Sequence, residues 1–335
     1  MILFHGESKN AAFWFAAEEY IMRILRPCEP VIMLWSTDDT IMVGAHQVAE
    51  AECDLAYASS AGIEIVRRSS GGGAIFTDKG TVQYTVILPY KEGDDPASVS
   101  REWIAAPVIA ALDSYSAPAS HEGRNDIIID GKKVSGLAQY ISGGYICSHC
   151  SILFRTDLEK LTSCLSTDRS KFTTKAITSV RARVANISDY IAEHDISRFC
   201  DALVLYAARP GTSLRYEPPQ KRAYSITETA QIESIMRDKY LNPEWTFGRE
   251  PAFTFTNAKR FPGGHIEVFL DVKGGVIQNA RINGDFLALL SVSEIETKLM
   301  GVPHRAEALA EALRPIDVKA YLGSLDSNDL LEVLL

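Results

Sequence analysis

Arg67–Gly80 reads RRSSGGGAIFTDKG, and the interpretation of this stretch decides how the rest of the chain is understood. Two cations and two hydroxyls run into three consecutive glycines, then into a β-branched and aromatic segment. Ile63–Arg67 before it and Ala74–Thr77 after it have strand composition, so Ser69–Gly73 is expected to form a tight strand-loop-strand turn. Three glycines remove every Cβ there. The backbone can then approach a ligand closely, its amides can converge on an anion, and Arg67 and Arg68 can add charge-assisted hydrogen bonds. The stretch is not a Walker loop, because no Gly-Lys-Ser/Thr follows at the required spacing, and no GxGxxG opens a helix.

Composition narrows the class. The 335 residues are 46 % hydrophobic and 23 % charged, which leaves room for one large or two moderate cores, and two domains are expected. A net charge of −9 without a basic stripe disfavours nucleic acid or anionic membrane as a partner. The N-terminal MILFHGESKNAAFWF lacks a positive n-region followed by an apolar run and a small-residue cleavage site. No stretch approaches the roughly 18 apolar residues of a membrane span, so a cytoplasmic protein is expected. Cysteines at 28, 53, 147, 150, 164 and 200 do not make a disulfide scaffold in a chain this long, which fits a reducing compartment.

Outward from the glycines, Phe13–Leu25 has helical apolar spacing and is expected to be a packing helix. Val31–Trp35 and Thr40–Gly44 read as two strands joined by Ser36–Asp39, a hairpin. Glu50–Ser60 should be a helix leading into the Ile63 strand. Thr81–Leu88 (TVQYTVIL) is nearly continuous in β-branched and aromatic residues, the pattern of a central strand covered on both faces. Ser98–Leu112, Asp157–Leu165, Ile196–Ala207 and Thr227–Tyr240 are expected helices, with a charged loop at Pro89–Pro96 and a Pro- and Gly-bearing loop at Pro210–Lys221. Asn242-Pro243-Glu244-Trp245 marks an expected domain boundary. The alternating strands Ile266–Val272 and Val276–Ile282 follow, then helices at Val292–Met300, His304–Leu313, Val318–Leu322 and Ser327–Leu335.

The second chemical stretch is Gly123–Gln139, GRNDIIIDGKKVSGLAQ. Ile127–Ile129 is a short strand, Asp130-Gly131 a hairpin turn and Lys132–Ser135 the return strand. Period-2 alternation sends Lys132 and Lys133 to opposite faces, so Lys133 is expected to face inward together with Ser135. Further on, Cys147-Ser148-His149-Cys150-Ser151 contains a CxxC. A structural zinc site needs about four ligands and no second CxxC or HxxxH supplies them. A redox-sensitive pair is the other reading of these two thiols.

These stretches together resemble the lipoate-protein ligases. The family signature Arg-Arg-x-Ser-Gly-Gly-Gly-Ala-Val-(Phe/Tyr)-His-Asp-x-Gly-Asn is matched at Arg67, Arg68, Ser70, Gly71, Gly72, Gly73, Ala74, Phe76, Asp78 and Gly80, with Thr77 in place of His and Thr81 in place of Asn. Gly44 and Gln47 match Gly-Arg-x-Gln-Asn, where Ala45 and Val48 depart. Gly123, Arg124, Asn125, Asp126, Lys133, Val134, Ser135, Gly136 and Ala138 match Gly-Arg-Asn-Asp … Gly-x-Lys-(Ile/Val)-Ser-Gly-x-Ala. Cys147–Phe154 is similar to the family's His-Gly-Thr-Leu-Leu, with His149 matched, Ser151 keeping a hydroxyl and Cys150 replacing Gly. Ile177–Ile187 resembles Ser-Val-x-Ser-Arg-Val-x-Asn-Leu. Trp245–Phe253, Arg260–Gly264 and the residues beyond resemble the C-terminal accessory domain of the longer ligases.

The resemblance implies an α/β (α+β) fold, a biotin/lipoate ligase-like mixed sheet with covering helices, as a catalytic domain over 1–245, and a small α+β accessory domain over 250–335 that reorients on adenylate formation. It implies an ATP-dependent ligase that adenylates lipoate and passes the lipoyl group to a lysine of apo-lipoyl domains, of 2-oxoacid dehydrogenase E2 subunits or of glycine-cleavage H-protein. Lys133 is then the catalytic lysine, between the carboxylate of the acid and the α-phosphate. ATP is expected at Arg67, Gly72, Gly73, Ala74, Ile75, Asn125, Asp126 and Lys133, lipoate at Ser69, Gly71, Lys133, Gly136, His149 and Ser151, and Mg²⁺ at Asp126. A monomer is expected. An octanoyltransferase of the same superfamily works through an acyl-cysteine near the loop before Asn-Asp; Ser116–Arg124 has none, and Cys150 sits in another strand. A biotin ligase would carry a Gly-Arg-Gly-Arg loop, which is missing. A noncatalytic module gripping lipoyl domains would have no use for Arg67, the glycines, Asn125-Asp126 and Lys133, which serve nucleotide chemistry.

Overall fold

A computed structural model describes residues 1–123, 125–165, 183–208, 218–248 and 254–335. Arg124, the first part of the 177–187 stretch, most of the expected loop at 210–221 and residues 249–253 lie outside it. Fourteen strands are named among the described residues: β1 Ile2–Phe4, β2 Val31–Trp35, β3 Thr40–Val43, β4 Glu64–Arg67, β5 Ile75–Thr77, β6 Thr81–Pro89, β7 Ser120–Glu122, β8 Asp126–Ile129, β9 Lys132–Ser142, β10 Tyr145–Leu153, β11 Gln220–Arg222, β12 Phe255–Phe261, β13 Gly264–Lys273 and β14 Val276–Gly284. Eight form a mixed sheet in the order β11-β1-β2-β6-β10-β9-β8-β7, and β4-β3-β5 and β12-β13-β14 form two smaller sheets.

β6 lies inside the large sheet and is buried along its length up to Pro89, as its unbroken β-branched composition predicts. One face of this sheet packs Tyr84, Val86, Ile146 and Ile152 against Val108, Leu112, Phe199 and Leu203, from the helices Ala106–Ser114 and Ile196–Ala207. The other packs Met33, Trp35, Ile87 and Tyr145 against Trp14 and Phe15 of the helix Ala11–Tyr20, whose first turn is capped by Asn10. The helix expected from Ser98 begins at Pro96, because Asp95 accepts from the amides of Ala97 and Ser98 and proline suits the first helical position. Residues from β12–β14 and the helices after them share a core of their own, including Ile266, Val268, Phe286, Leu309 and Leu330.

Three expectations fail. β2 and β3 are not a hairpin: β2 pairs with β1 and β6, whereas β3 pairs with β4 and β5 in another sheet. A four-residue polar link allows either outcome, and both strands are too uniformly apolar for alternation to choose a face. Ser69–Gly73 is not a tight turn either. β4 is parallel to β3 and β5 antiparallel to it on the opposite side, so the glycines carry the chain across the end of β3. Finally, Cys147 and Cys150 are an odd number of residues apart within β10 and therefore face opposite sides of the sheet, one in each core. They cannot pair.

Candidate active site

The β8–β9 hairpin turns at Asp130 and Gly131, both with positive φ (50° and 73°), the geometry that an Asp-Gly pair favours. The register then slips: Ile127 faces Ser135 but Ile128 faces Lys133, leaving Val134 as an extra residue on β9. The bulge reverses the alternation. Lys133 therefore shares its face with Gly136 and not, as expected, with Ser135, which is buried beside Cys150. A Cβ on Gly136 would come within 2.9 Å of Lys133 Cε and Nζ, so the missing side chain gives the lysine its path. Lys133 Nζ meets Asp126 Oδ1 at 2.7 Å, both side chains roughly one-third exposed. The Lys133 backbone is clamped by the 183–185 segment, donating to Arg183 O (2.8 Å) and accepting from Ala185 (3.0 Å). Asn125 Nδ2 donates to Leu137 O and its carbonyl accepts from the Leu137 amide, which closes the base of the hairpin.

β10 brings His149 and Ser151 to the same face as Lys133, since His149 pairs with Ala138 and Ser151 with Gly136. Gln83 of β6 donates to Ser151 Oγ (3.0 Å). His149 Nδ1 lies 3.2 Å from Glu18 Oε1, and its Nε2 lies 2.6 Å from Ser70 Oγ.

In the glycine loop, Arg68, buried at the cavity wall, donates to the carbonyls of Met42, Gly71 and Gly73 and to Ser70 Oγ. Burial lowers its pKa to about 10, which leaves it cationic at neutral pH. Gly72 has φ +89°, a conformation that side-chain-bearing residues rarely adopt, and its amide donates to Phe286 O. The amides of Gly73 and Ala74 donate to no protein group among the described residues.

A cavity of about 640 Å³ joins these parts. It is lined by Gly72, Gly73, Ala74, Ile75, Asn125, Asp126, Lys133, Gly136, His149 and Ser151, ten of the residues to which the sequence reading gave ligand contacts. Three expected residues lie outside its lining. Arg67, expected on ATP, is fully buried and donates to the carbonyls of Gly44, Gln47, Trp245 and Thr246. Its guanidinium fork is used to tie the loop after β3 to the helix Pro243–Phe247. Ser69, expected on lipoate, turns to Tyr240 and Lys239 (2.8 and 3.2 Å). Gly71 packs so closely under Phe286 O that a Cβ would lie 2.5 Å from it.

The cavity also takes Phe15, Trp35, Met42, Gln83, Arg183 and Leu287, none assigned to it by sequence reasoning. Phe15 and Trp35 stand edge to face at 5.7 Å, an aromatic corner whose only sequence signal was the FWF run, which also fits plain core packing. Of the five departures from the ligase signature, Ala45, Val48, Thr77 and Thr81 do not line the cavity and Cys150 does. Thr77 pairs with Thr37, and Thr81 with Thr156 and Asp78, so their hydroxyls are absorbed into local structure.

A lysine, a carboxylate, a glycine loop whose Gly73 and Ala74 amides have no protein acceptor among the described residues, and aromatic side chains line one cavity, which can take an apolar acid together with an anion. Residues 10–208 match the lipoyl protein ligase A/B catalytic domain, and residues 250–334 match the bacterial lipoate protein ligase C-terminus. The chain belongs to the lipoate-protein ligase family. It is 33 % identical to lipoate-protein ligase LplJ of Bacillus subtilis over 95 % of both chains. Among solved structures, it resembles a bi-partite lipoate protein ligase from Thermoplasma acidophilum, described with its E2 lipoyl domain, at TM-score 0.67 and 27 % identity over 76 % of this chain and 98 % of that one. It also resembles a lipoate-protein ligase A bound with ATP, at TM-score 0.64 and 25 % identity over 74 % of this chain and 98 % of that one.

Proposed function

We propose that this ligase adenylates lipoate with ATP and transfers the lipoyl group to a lysine of apo-lipoyl domains. The observation that carries the reading is Lys133: a cation on a short arm over Gly136, one cavity away from the unclaimed amides of Gly73 and Ala74. In the first step a lipoate carboxylate oxygen bonds to the α-phosphorus and pyrophosphate leaves. Negative charge gathers between the two reactants, and the Lys133 ammonium can reach both. In the second step the ε-amine of the acceptor lysine attacks the acyl carbonyl, AMP leaves, and the amine loses a proton.

The catalytic work is assigned to 1–245 and an accessory role to 250–335, which contributes Leu287 to the cavity wall. Asp126 would hold Mg²⁺, which would neutralise phosphate charge there, a fit that requires the carboxylate to be shared with Lys133. The acceptors proposed are E2 lipoyl domains, supported by the archaeal relative, and glycine-cleavage H-protein. A monomer acting in the cytoplasm completes the reading; among the described residues no helix is long and apolar enough to cross a membrane. Cys150 also lines the cavity, but an acyl-cysteine route through it is disfavoured, because the thiol is 2 % exposed and burial pushes it up to about 12, leaving almost no thiolate at neutral pH.

The test is pyrophosphate exchange into ATP with Mg²⁺, comparing lipoate, octanoate and biotin and omitting acceptor protein. Exchange with lipoate supports the reading. Folded protein that exchanges with none of the three acids overturns it.

A further inference from the structure

Glu18 and Ser70 both lie outside the cavity lining, on opposite sides of the one ring that connects them. Glu18 is 1 % exposed and Ser70 fully buried. Around the Glu18 carboxylate stand Thr85 Oγ1 (3.0 Å), Tyr140 OH (3.4 Å), the Cys147 thiol and His149 Nδ1 (3.2 Å). Three of these can donate O–H or S–H, so Glu18 is surrounded as an acceptor, and the fourth partner is supplied by the proton of His149 Nδ1. In the neutral ring with its proton on Nδ1, Nε2 keeps its lone pair. Ser70 Oγ stands 2.6 Å from Nε2, so its hydroxyl hydrogen points to the ring, and its oxygen accepts from Arg68 Nε (3.1 Å). The remaining donors of Arg68 hold the carbonyls of Gly71 and Gly73 in the loop and of Met42 in β3.

We infer that Glu18, through His149 and Ser70, is a positioning residue for ATP: it sets the direction of a hydrogen-bond chain that ends in the shape of the glycine loop. The inference rests on the ligase reading above, and it adds that a residue outside the cavity lining, in contact with it only through His149, governs the nucleotide side of the reaction. The chain runs from the helix Ala11–Tyr20 through the ring that lines the cavity to Arg68, with a donor and an acceptor at every joint. If the ring instead carried its proton on Nε2, Ser70 Oγ would have to accept from the ring as well as from Arg68 Nε, and its own hydrogen would have to turn elsewhere. Histidine is suited to the middle position because the group on one nitrogen decides what the other nitrogen does.

The test uses the full chain and has two independent readouts. In pyrophosphate exchange with lipoate, Glu18→Gln and Ser70→Ala are each expected to raise the KM for ATP about tenfold with kcat changed less than about twofold, and the double variant is expected to be no worse than either single one. Multiplicative effects in the double variant, or an unchanged KM for ATP in Glu18→Gln, overturn the chain. The second readout needs no activity. Nitrogen-15 NMR of histidine-labelled wild-type protein should show His149 neutral and protonated at Nδ1, and the amide signals of Gly71–Gly73 should move in the same direction in both single variants. An Nε2-protonated ring, or loop signals that stay in place, overturns the proposal whether or not the variants remain active. Wild-type protein with no lipoate-dependent exchange counts against the ligase reading alone, and the NMR then decides the chain.

Discussion

Lys133 and Arg67 are both cations at strand ends near glycines, yet the fold uses them in opposite ways. Lys133 keeps about a third of its side chain exposed and has a single carboxylate partner, Asp126. Arg67 is wholly buried, and its donors are taken by backbone carbonyls from two distant segments. A lysine is a point charge on a flexible stem, able to follow a charge that moves from carboxylate to phosphate; an arginine fork satisfies several fixed acceptors at once. The comparison teaches that a cation in a ligand-binding motif serves either the ligand or the wall that holds it, and that burial together with partner type separates the two.

The sharpest way to break the comparison is on the lysine side. Lys133→Ala should lower lipoate-dependent exchange by about 10²- to 10³-fold, the scale of losing one preorganised charge in a transition state, while thermal unfolding stays close to wild type. Exchange that survives within about tenfold would remove the role assigned to Lys133. On the arginine side, Arg67→Met should cost about 3 kcal/mol of stability or more, because buried carbonyls of Gly44, Gln47, Trp245 and Thr246 lose their donor. Urea unfolding measures this. A variant of normal stability whose only defect is a raised KM for ATP would return Arg67 to the phosphates.

A finer probe moves the lysine without removing it. Gly136→Ala places a methyl in the path of Lys133 Nζ and should slow adenylation about 10-fold at nearly constant stability, since small misplacements of a reacting group are costly. No loss of rate would mean that the lysine reaches its target by another route. The smallest expected effect concerns the cysteines. Mass spectrometry after mild oxidation of the native protein should find Cys147 and Cys150 unlinked, and iodoacetamide should leave both unmodified, because they face opposite cores and burial raises both thiols. A Cys147–Cys150 disulfide in folded protein would contradict the strand assignment of β10.

Much of the site was legible beforehand. The Asp130-Gly131 turn, the buried β6 and the inward direction of Lys133 follow from turn chemistry and alternation, which act over a few residues. The partner of Lys133 on its face was misread, because a one-residue bulge at Val134 reverses alternation without leaving a mark in KKVSG. The β2–β3 link was misread for a related reason: a short polar segment between two apolar strands fits a hairpin and a crossing between sheets equally well. Glu18 went unnoticed inside AAEEY, where a glutamate on a helix reads as solvated until β6, β9 and β10 surround it with donors.

By itself, the sequence determined the elements and the chemistry on offer: the strands, the glycine run, the lysine on a return strand, and the resemblance of both to the lipoate-protein ligases. Those are properties of neighbouring residues, and local sterics and hydrogen bonding express them wherever the segment folds. Only the tertiary structure decided that Lys133 meets the cavity and that Arg67 is locked in the wall. Arg67 and the carbonyl of Trp245 that it holds are 178 residues apart, and Glu18 and His149 are 131 apart. Whether a charged group ends against solvent, a carboxylate or a buried carbonyl is settled by which distant segments pack around it, because desolvation depends on the whole surroundings of the side chain and not on its place in a motif.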